Sequence, residues 1–243
     1  MANSSLVGGI TSRAFPALIL LGFLSLTGCV GLPPFYPVTG EGTYKVRSGD
    51  TLYSIAFRHG LDYRSLARIN AIASPYTIYP DQVLSLEGSA KLPEKDQGPA
   101  VSRASTSAPV PSKKYNLPSS VARWGWPLNG KIVGRFSLEN PINKGIDIAG
   151  KEGDPVLAAA DGVVVYAGGN LRGYGKLVII KHTDNFLSAY GNNAALLVSE
   201  GDKVRAGRSI GRVGSSTANQ EMLHFEVRRD GKPVDPLGLL PSP

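Results

Sequence analysis

Gly162–Ile180 reads GVVVYAGGNLRGYGKLVII, two apolar runs separated by a glycine-rich stretch. Branched and aromatic side chains fit a pleated surface, so both runs are expected as strands. Leu177-Val178-Ile179-Ile180 is apolar at every position, which places it at the centre of a sheet with both faces covered. Gly168-Gly169 and Gly173-Tyr174-Gly175 mark tight turns. Neither matches a GxGxxG between a strand and a helix, so no phosphate cradle is expected. Outward from this stretch, Lys131-Ile132-Val133, Phe186-Leu187-Ser188-Ala189-Tyr190, Ser209-Ile210-Gly211-Arg212-Val213 and Leu223-His224-Phe225-Glu226-Val227-Arg228 are also strand-like. With Gly, Asn and Asp between them and no long helical period, residues 123–241 are expected to form an antiparallel β unit.

Towards the N-terminus the composition changes. Residues 88–122 are rich in Ser, Pro and Ala and nearly free of large apolar side chains. Such a segment cannot bury enough surface to order itself and is expected as a linker. Residues 43–87 regain a pattern. Thr43-Tyr44-Lys45-Val46-Arg47 alternates as a strand, and Ser48-Gly49-Asp50-Thr51 offers a turn and a cap. Leu52, Ile55 and Ala56 then fall at helical spacing up to Gly60. Asp62 can cap a second helix carrying Leu66 and Ile69, Pro75 and Pro80 bound an irregular loop, and residues 81–86 read as a second strand. The expected order is strand, helix, helix, strand. Residues 29–42 are a Pro-rich tether without a period.

The chain of 243 residues has one cysteine, three histidines and a formal net charge of +7. One cysteine excludes an internal disulfide and any Cys-rich zinc module. Three histidines leave little room for a histidine-built metal site. The positive charge attracts polyanions, whether nucleic acid, anionic lipid or cell-wall polymer. Ala14–Leu26 is an apolar run behind Arg13, too short to span a hydrocarbon core of ~30 Å as a mature helix. It has the order of an export signal, residues 1–28. Leu26-Thr27-Gly28-Cys29 resembles the bacterial lipobox, which implies that Cys29 becomes the lipid-bearing N-terminus. A thioether diacylglycerol plus an acyl chain provides the several tails that stable anchoring requires. Val30 rather than Asp after that cysteine implies sorting to the outer membrane, facing the periplasm.

Residues 44–56, 66–70 and 77–84 together resemble a LysM domain, a small βααβ (α+β) module that binds N-acetylglucosamine-containing glycans. The resemblance implies a sugar groove that includes Gly49, Asp50, Thr51, Leu52, Ile78 and Tyr79. Backbone groups in a Gly-containing turn suit acetamido groups, and Ile78 and Tyr79 offer apolar contact. Asp50 serves equally well as a helix cap, and Ile78 as a core residue.

Asn143-Lys144-Gly145-Ile146-Asp147, Gly153–Ala159, Asp161–Val164, Gly173-Tyr174-Gly175, Ile180-Lys181-His182 and Leu223–Val227 resemble the LytM-type, M23 zinc-peptidase domain of peptidoglycan endopeptidases. This implies a mainly β, antiparallel, sandwich-like fold. Active relatives hold zinc with the His and Asp of H-x-G-x-D and the second His of H-x-H, while two further histidines assist the attacking water. Here Asp147 and His224 are kept, but Asn143, Asn192 and Met222 stand where the other three histidines would be. A neutral amide is a poor zinc ligand, and a catalytic site needs about three firm ligands. Neither Met222 nor Asn192 can move a proton in the useful range. No metal, cofactor or peptide-bond hydrolysis is therefore expected, and Asp147 and His224 are alternatively a hydrogen-bonded pair that stabilises the sheet.

Lipobox, LysM, linker and degenerate LytM unit together resemble the NlpD-type murein hydrolase activator lipoproteins. That resemblance implies binding to peptidoglycan and to a periplasmic N-acetylmuramoyl-L-alanine amidase, whose autoinhibition is relieved during septum splitting. The implied docking groove comprises Asn143, Asp147, Asn192, Met222 and His224, with Arg172 and Tyr174 on its border. The alternatives are a structural link between outer membrane and wall, or a residual zinc endopeptidase. Nucleic acid is not an expected partner.

Overall fold

The computed structural model describes residues 42–87, 117, 119–215 and 220–242. The signal, Cys29, the tether up to residue 41 and most of the expected linker lie outside the described residues.

The N-terminal unit is the expected strand–helix–helix–strand. Strand β1 (Thr43–Lys45) pairs antiparallel with β2 (Val83–Ser85), and helices α1 (Leu52–His59) and α2 (Tyr63–Ile69) lie between them in sequence. Helix α1 begins at a reciprocal cap: the Ser54 amide donates to Thr51 Oγ1 at 3.0 Å, and the Thr51 amide donates to Ser54 Oγ at 3.0 Å. A cap of this kind contributes about 1 kcal/mol. Gly60 ends the helix at φ 66°, a conformation that glycine adopts without steric cost. Asp62 caps α2 by accepting from the amides of Arg64 and Ser65, both at 3.1 Å. Leu52, Ile55, Ala56, Tyr63, Leu66, Leu84 and Leu86 form the core of this unit.

The C-terminal unit is mainly antiparallel β. Its strands are β3 (Ile132–Gly134), β4 (Ile146–Ala149), β5 (Pro155–Leu157), β6 (Gly162–Gly168), β7 (Lys176–Lys181), β8 (Phe186–Leu196), β9 (Lys203–Val204), β10 (Ser209–Val213), β11 (Met222–Arg229) and β12 (Lys232–Val234). The main path through the sheet runs β3-β4-β11-β8-β7-β6-β9, with β10 bridging β5 and β8, and β12 flanking β11. Strand β7 is central, as its apolar run predicted. Its side chains alternate: Val178 and Ile180 enter one core, Leu177 and Ile179 the other. The first core also holds Ile146, Ile148, Tyr190, Leu223, Phe225 and Val227. The opposite face of the sheet is covered by Phe57 of α1, against Val165, Leu187 and Ala189.

Strand β8 runs on to Leu196, six residues beyond the expected end. Gly191-Asn192-Asn193 has turn composition, yet Asn192 takes φ 62° within the strand and pairing with β10 resumes beyond it after a register shift. Asn tolerates the left-handed region better than other non-glycine residues, so the chain kinks without leaving the sheet. Strands β4, β5, β9 and β12, two to four residues long, were not among the expected strands.

His182 is fully buried, with Nδ1 2.7 Å from the Asp161 carbonyl oxygen and Nε2 2.7 Å from Ser188 Oγ. Burial pushes its pKa down to about 4. The folded state therefore resists a proton that the unfolded chain takes up near pH 6.5. This contribution is complete above pH 6.5 and falls away as pH drops towards 4, by about 3 kcal/mol in all. We expect urea denaturation midpoints to fall over that window while the His182 ring stays neutral by NMR at pH 5. Titration of His182 near 6.5 would contradict this.

Candidate functional site

Strand β11 builds the site through its alternation. Leu223, Phe225 and Val227 face the core, so Met222, His224, Glu226 and Arg228 share the opposite face. Antiparallel pairing sets His224 opposite Asp147 of β4 and opposite Gly191 of β8. Two glycines make the close approaches possible. A Cβ on Gly134 would stand 2.2 Å from Asp147 Oδ2, and one on Gly191 would stand 3.1 Å from the Tyr174 carbonyl oxygen. An isolated bridge to Ser137 holds Asn143 beside them.

Hydrogen bonds run through the site in one connected line. Asn143 Nδ2 donates to Asp147 Oδ2 at 2.8 Å, and His224 Nδ1 lies 2.7 Å from Asp147 Oδ1. His224 Nε2 lies 3.2 Å from Glu226 Oε1, which also accepts from the Tyr174 hydroxyl at 2.8 Å. Arg228 holds the other Glu226 oxygen from Nε at 2.9 Å and from Nη2 at 2.8 Å. Burial alone would push the His224 pKa down, but its hydrogen bonds to Asp147 and Glu226 and the charge of both carboxylates raise it to about 9. Burial would likewise raise Glu226, yet the Arg228 guanidinium and His224 hold it well below the usual carboxylate range. At neutral pH His224 is thus an imidazolium between two carboxylates. Its contribution to stability is complete below pH 6.5 and is lost as pH rises towards 9, opposite in sign to that of His182. Stability is expected to peak near pH 6.5.

The arrangement does not fit the zinc that active members of the resembled peptidase family carry. Both Asp147 oxygens and His224 Nδ1 are engaged with one another and with Asn143. The Asn143 amide turns a nitrogen donor, not a lone pair, towards Asp147. Glu226 sits at the far nitrogen of the His224 ring, so the ring separates the two carboxylates. No group of three or more His, Cys, Asp or Glu side chains suited to a metal is present among the described residues.

Of the groove residues expected from sequence, Asn143, Asp147 and His224 are brought into direct contact. Tyr174 joins them through Glu226 and through its ring, 5.8 Å from that of His224. Asn192 is buried, its amide donating to the Tyr174 carbonyl at 2.7 Å. Met222 is half-buried on the His224 face, and Arg172 is exposed on the turn before Tyr174. Glu226 and Arg228 were not among the expected site residues. The alternation of β11, continued two and four residues past His224, was the signal that identifies them.

The expected glycan residues divide. Leu52 is a core residue. The Asp50 carboxylate is buried, accepting from the Tyr44 hydroxyl at 2.7 Å and from the Arg47 amide at 2.9 Å, with Arg58 at 3.6 Å. Gly49 and Thr51 lie against the C-terminal unit: Thr51 Oγ1 donates to the Val165 carbonyl at 3.1 Å, and a Cβ on Gly49 would stand 2.8 Å from Asn170 Nδ2. Ile78 packs partly against the core of its own unit, while Tyr79 is 46% exposed.

Comparison with known proteins finds two family matches: "Peptidase family M23" over residues 141–236 and "LysM domain" over residues 44–87. A Pseudomonas aeruginosa protein named "Lipoprotein NlpD/LppB homolog" is 48% identical over 239 residues, covering 84% of this chain and 78% of the relative. "Uncharacterized lipoprotein YgeR" of Escherichia coli K12 is 38% identical over 240 residues, 96% of each chain. "Murein hydrolase activator NlpD" of the same strain is 36% identical over 257 residues, covering 82% of this chain and 68% of that one.

Proposed function

Since the chain belongs to the NlpD/LppB family of lipoproteins with LysM and M23 domains, we propose that it activates peptidoglycan amidases without hydrolysing the wall itself. The observation that carries this reading is the saturation of Asp147 by Asn143 and His224. The scaffold of a peptidase groove is kept, while hydrogen bonds internal to the protein engage the groups that would otherwise hold a metal. In this reading the groove of Asn143, Asp147, Asn192, Met222 and His224, bordered by Arg172 and Tyr174, receives the regulatory segment of a periplasmic N-acetylmuramoyl-L-alanine amidase. Docking that segment in the groove withdraws it from the amidase active site, and the amidase then cuts the wall during septum splitting.

The LysM unit would hold the protein on peptidoglycan, and lipid on Cys29 would tie it to the outer membrane. Support for the anchor comes from the lipobox-like Leu26-Thr27-Gly28-Cys29 and from relatives named as lipoproteins. The test is dye release from labelled sacculi. With an autoinhibited amidase, addition of the protein accelerates release, and the protein alone sediments with sacculi but releases no dye. Absence of acceleration across all cognate amidases would contradict the reading.

A further inference from the structure

The connection between β6 and β7, residues 169–175, has three glycines in seven residues and carries Arg172 and Tyr174, the border of the groove. Gly173 and Gly175 take φ 91° and 62°. Glycine loses more conformational freedom on ordering than any other residue, so a loop of this composition does not keep one shape through its backbone alone. Its own unit secures it at three points. Leu171 is buried, the Tyr174 carbonyl accepts from the Asn192 amide at 2.7 Å, and the Tyr174 hydroxyl donates to Glu226 at 2.8 Å.

The LysM unit adds contacts at both ends of this loop. Phe57 of α1 is buried among Val165, Leu177, Ile179, Leu187 and Ala189 of the β unit. Its ring meets that of Tyr174 edge-on at 5.4 Å, and the Arg228 guanidinium carbon lies 3.4 Å from its centroid. The Phe57 carbonyl accepts from Arg228 Nη1 at 2.6 Å, and the same guanidinium holds Glu226, the acceptor of the Tyr174 hydroxyl. At the other end of the loop Arg58 Nη2 donates to the Asn170 carbonyl at 3.3 Å, and a Cβ on Gly49 would stand 2.8 Å from Asn170 Nδ2. Arg172, between the two ends, stays exposed.

The two units also meet where a bare backbone is required. Gly231, in the turn between β11 and β12, lies at φ 78°, and a Cβ there would stand 2.5 Å from the Asp62 nitrogen in the turn between α1 and α2. Beside it, Arg64 Nη2 lies 2.8 Å from Asp230 Oδ1.

We propose that Phe57 is a positioning residue for the groove: seated on the β unit, it fixes Tyr174 directly and Glu226 through Arg228, so that helix α1 sets the loop on the groove's border. This deepens the function proposed above and rests on it. A loop already ordered in its binding shape spares a partner the cost of ordering it. Phe57 is 2% exposed and offers the partner no surface of its own. The LysM unit thus contributes to amidase docking without touching the amidase.

The test uses the full chain in soluble form and a dye-labelled, autoinhibited N-acetylmuramoyl-L-alanine amidase, with binding followed by fluorescence anisotropy in the absence of sacculi. Phe57→Ala removes the seat and is expected to weaken binding roughly fivefold. Its Tyr174 ring signals in NMR are expected to shift, with the His182 ring still neutral at pH 5 as the mark of a folded β unit. Gly231→Asn drives the same units apart from the surface, because asparagine tolerates the left-handed conformation while its Cβ collides with Asp62. It is expected to weaken binding in the same direction, which keeps the test valid should Phe57→Ala fail to fold. Unmoved Tyr174 signals in the folded variants, or affinity equal to or tighter than the parent's, overturn the positioning role and leave the activator reading standing. No binding of any cognate amidase by the parent overturns the activator reading, and the positioning role with it.

Discussion

Arg228→Ala is expected to lower the unfolding free energy by roughly 3–5 kcal/mol, the cost of removing one partner from a buried ion pair. Arg228 is 2% exposed and Glu226 is fully buried. Without the guanidinium, Glu226 keeps only His224 and the Tyr174 hydroxyl as partners. The Phe57 carbonyl and the face of its ring lose their contacts as well. Guanidinium denaturation of parent and variant measures the loss. A change below about 1 kcal/mol would show that the Arg228–Glu226 pair does not hold this face of the sheet together.

The second large effect concerns the groove. Met222 is half-buried, on the same face of β11 as His224 and two residues away. It is the one apolar side chain among Asn143, Asp147, Asn192, Met222 and His224. Met222→Glu sets a carboxylate where a docked segment would have to strip it of water, a cost of about 1–3 kcal/mol without a compensating partner. Since 1.4 kcal/mol is tenfold in affinity, amidase stimulation at a fixed low concentration is expected to fall about tenfold or more. Surface-facing substitutions away from core features usually move stability by no more than about 0.5 kcal/mol, so the melting temperature should hold. Unchanged stimulation by a folded Met222→Glu protein would remove the groove from the mechanism.

Much of the fold was legible because its signals are local. Leu52, Ile55 and Ala56 between Thr51 and Gly60 specify a capped helix without reference to the rest of the chain. Leu177 to Ile180 announces a strand covered on both faces, though not what covers it. On one face the cover includes Phe57, more than a hundred residues away, and no periodicity links the two. The groove was legible in part. Asn143, Asp147 and His224 follow from motif positions, whereas Glu226 and Arg228 enter only through strand alternation and the burial of both. Asn192 shows the limit of composition: its stretch reads as a turn, but pairing with β10 on the far side keeps it within a strand. The contacts of Gly49 with Asn170 and of Thr51 with Val165 depend on packing between distant parts of the chain and have no local signal.

As a docking surface, the groove needs no metal to act. The protein is treated with a strong chelator, freed of chelator and metal by exchange into metal-free buffer, and added to a zinc-loaded, autoinhibited amidase on dye-labelled sacculi. The stripped protein is expected to accelerate dye release as fully as the untreated protein, and neither is expected to release dye without the amidase. Stimulation that disappears on stripping and returns with zinc bound to this protein, or release of dye by this protein alone, would contradict it.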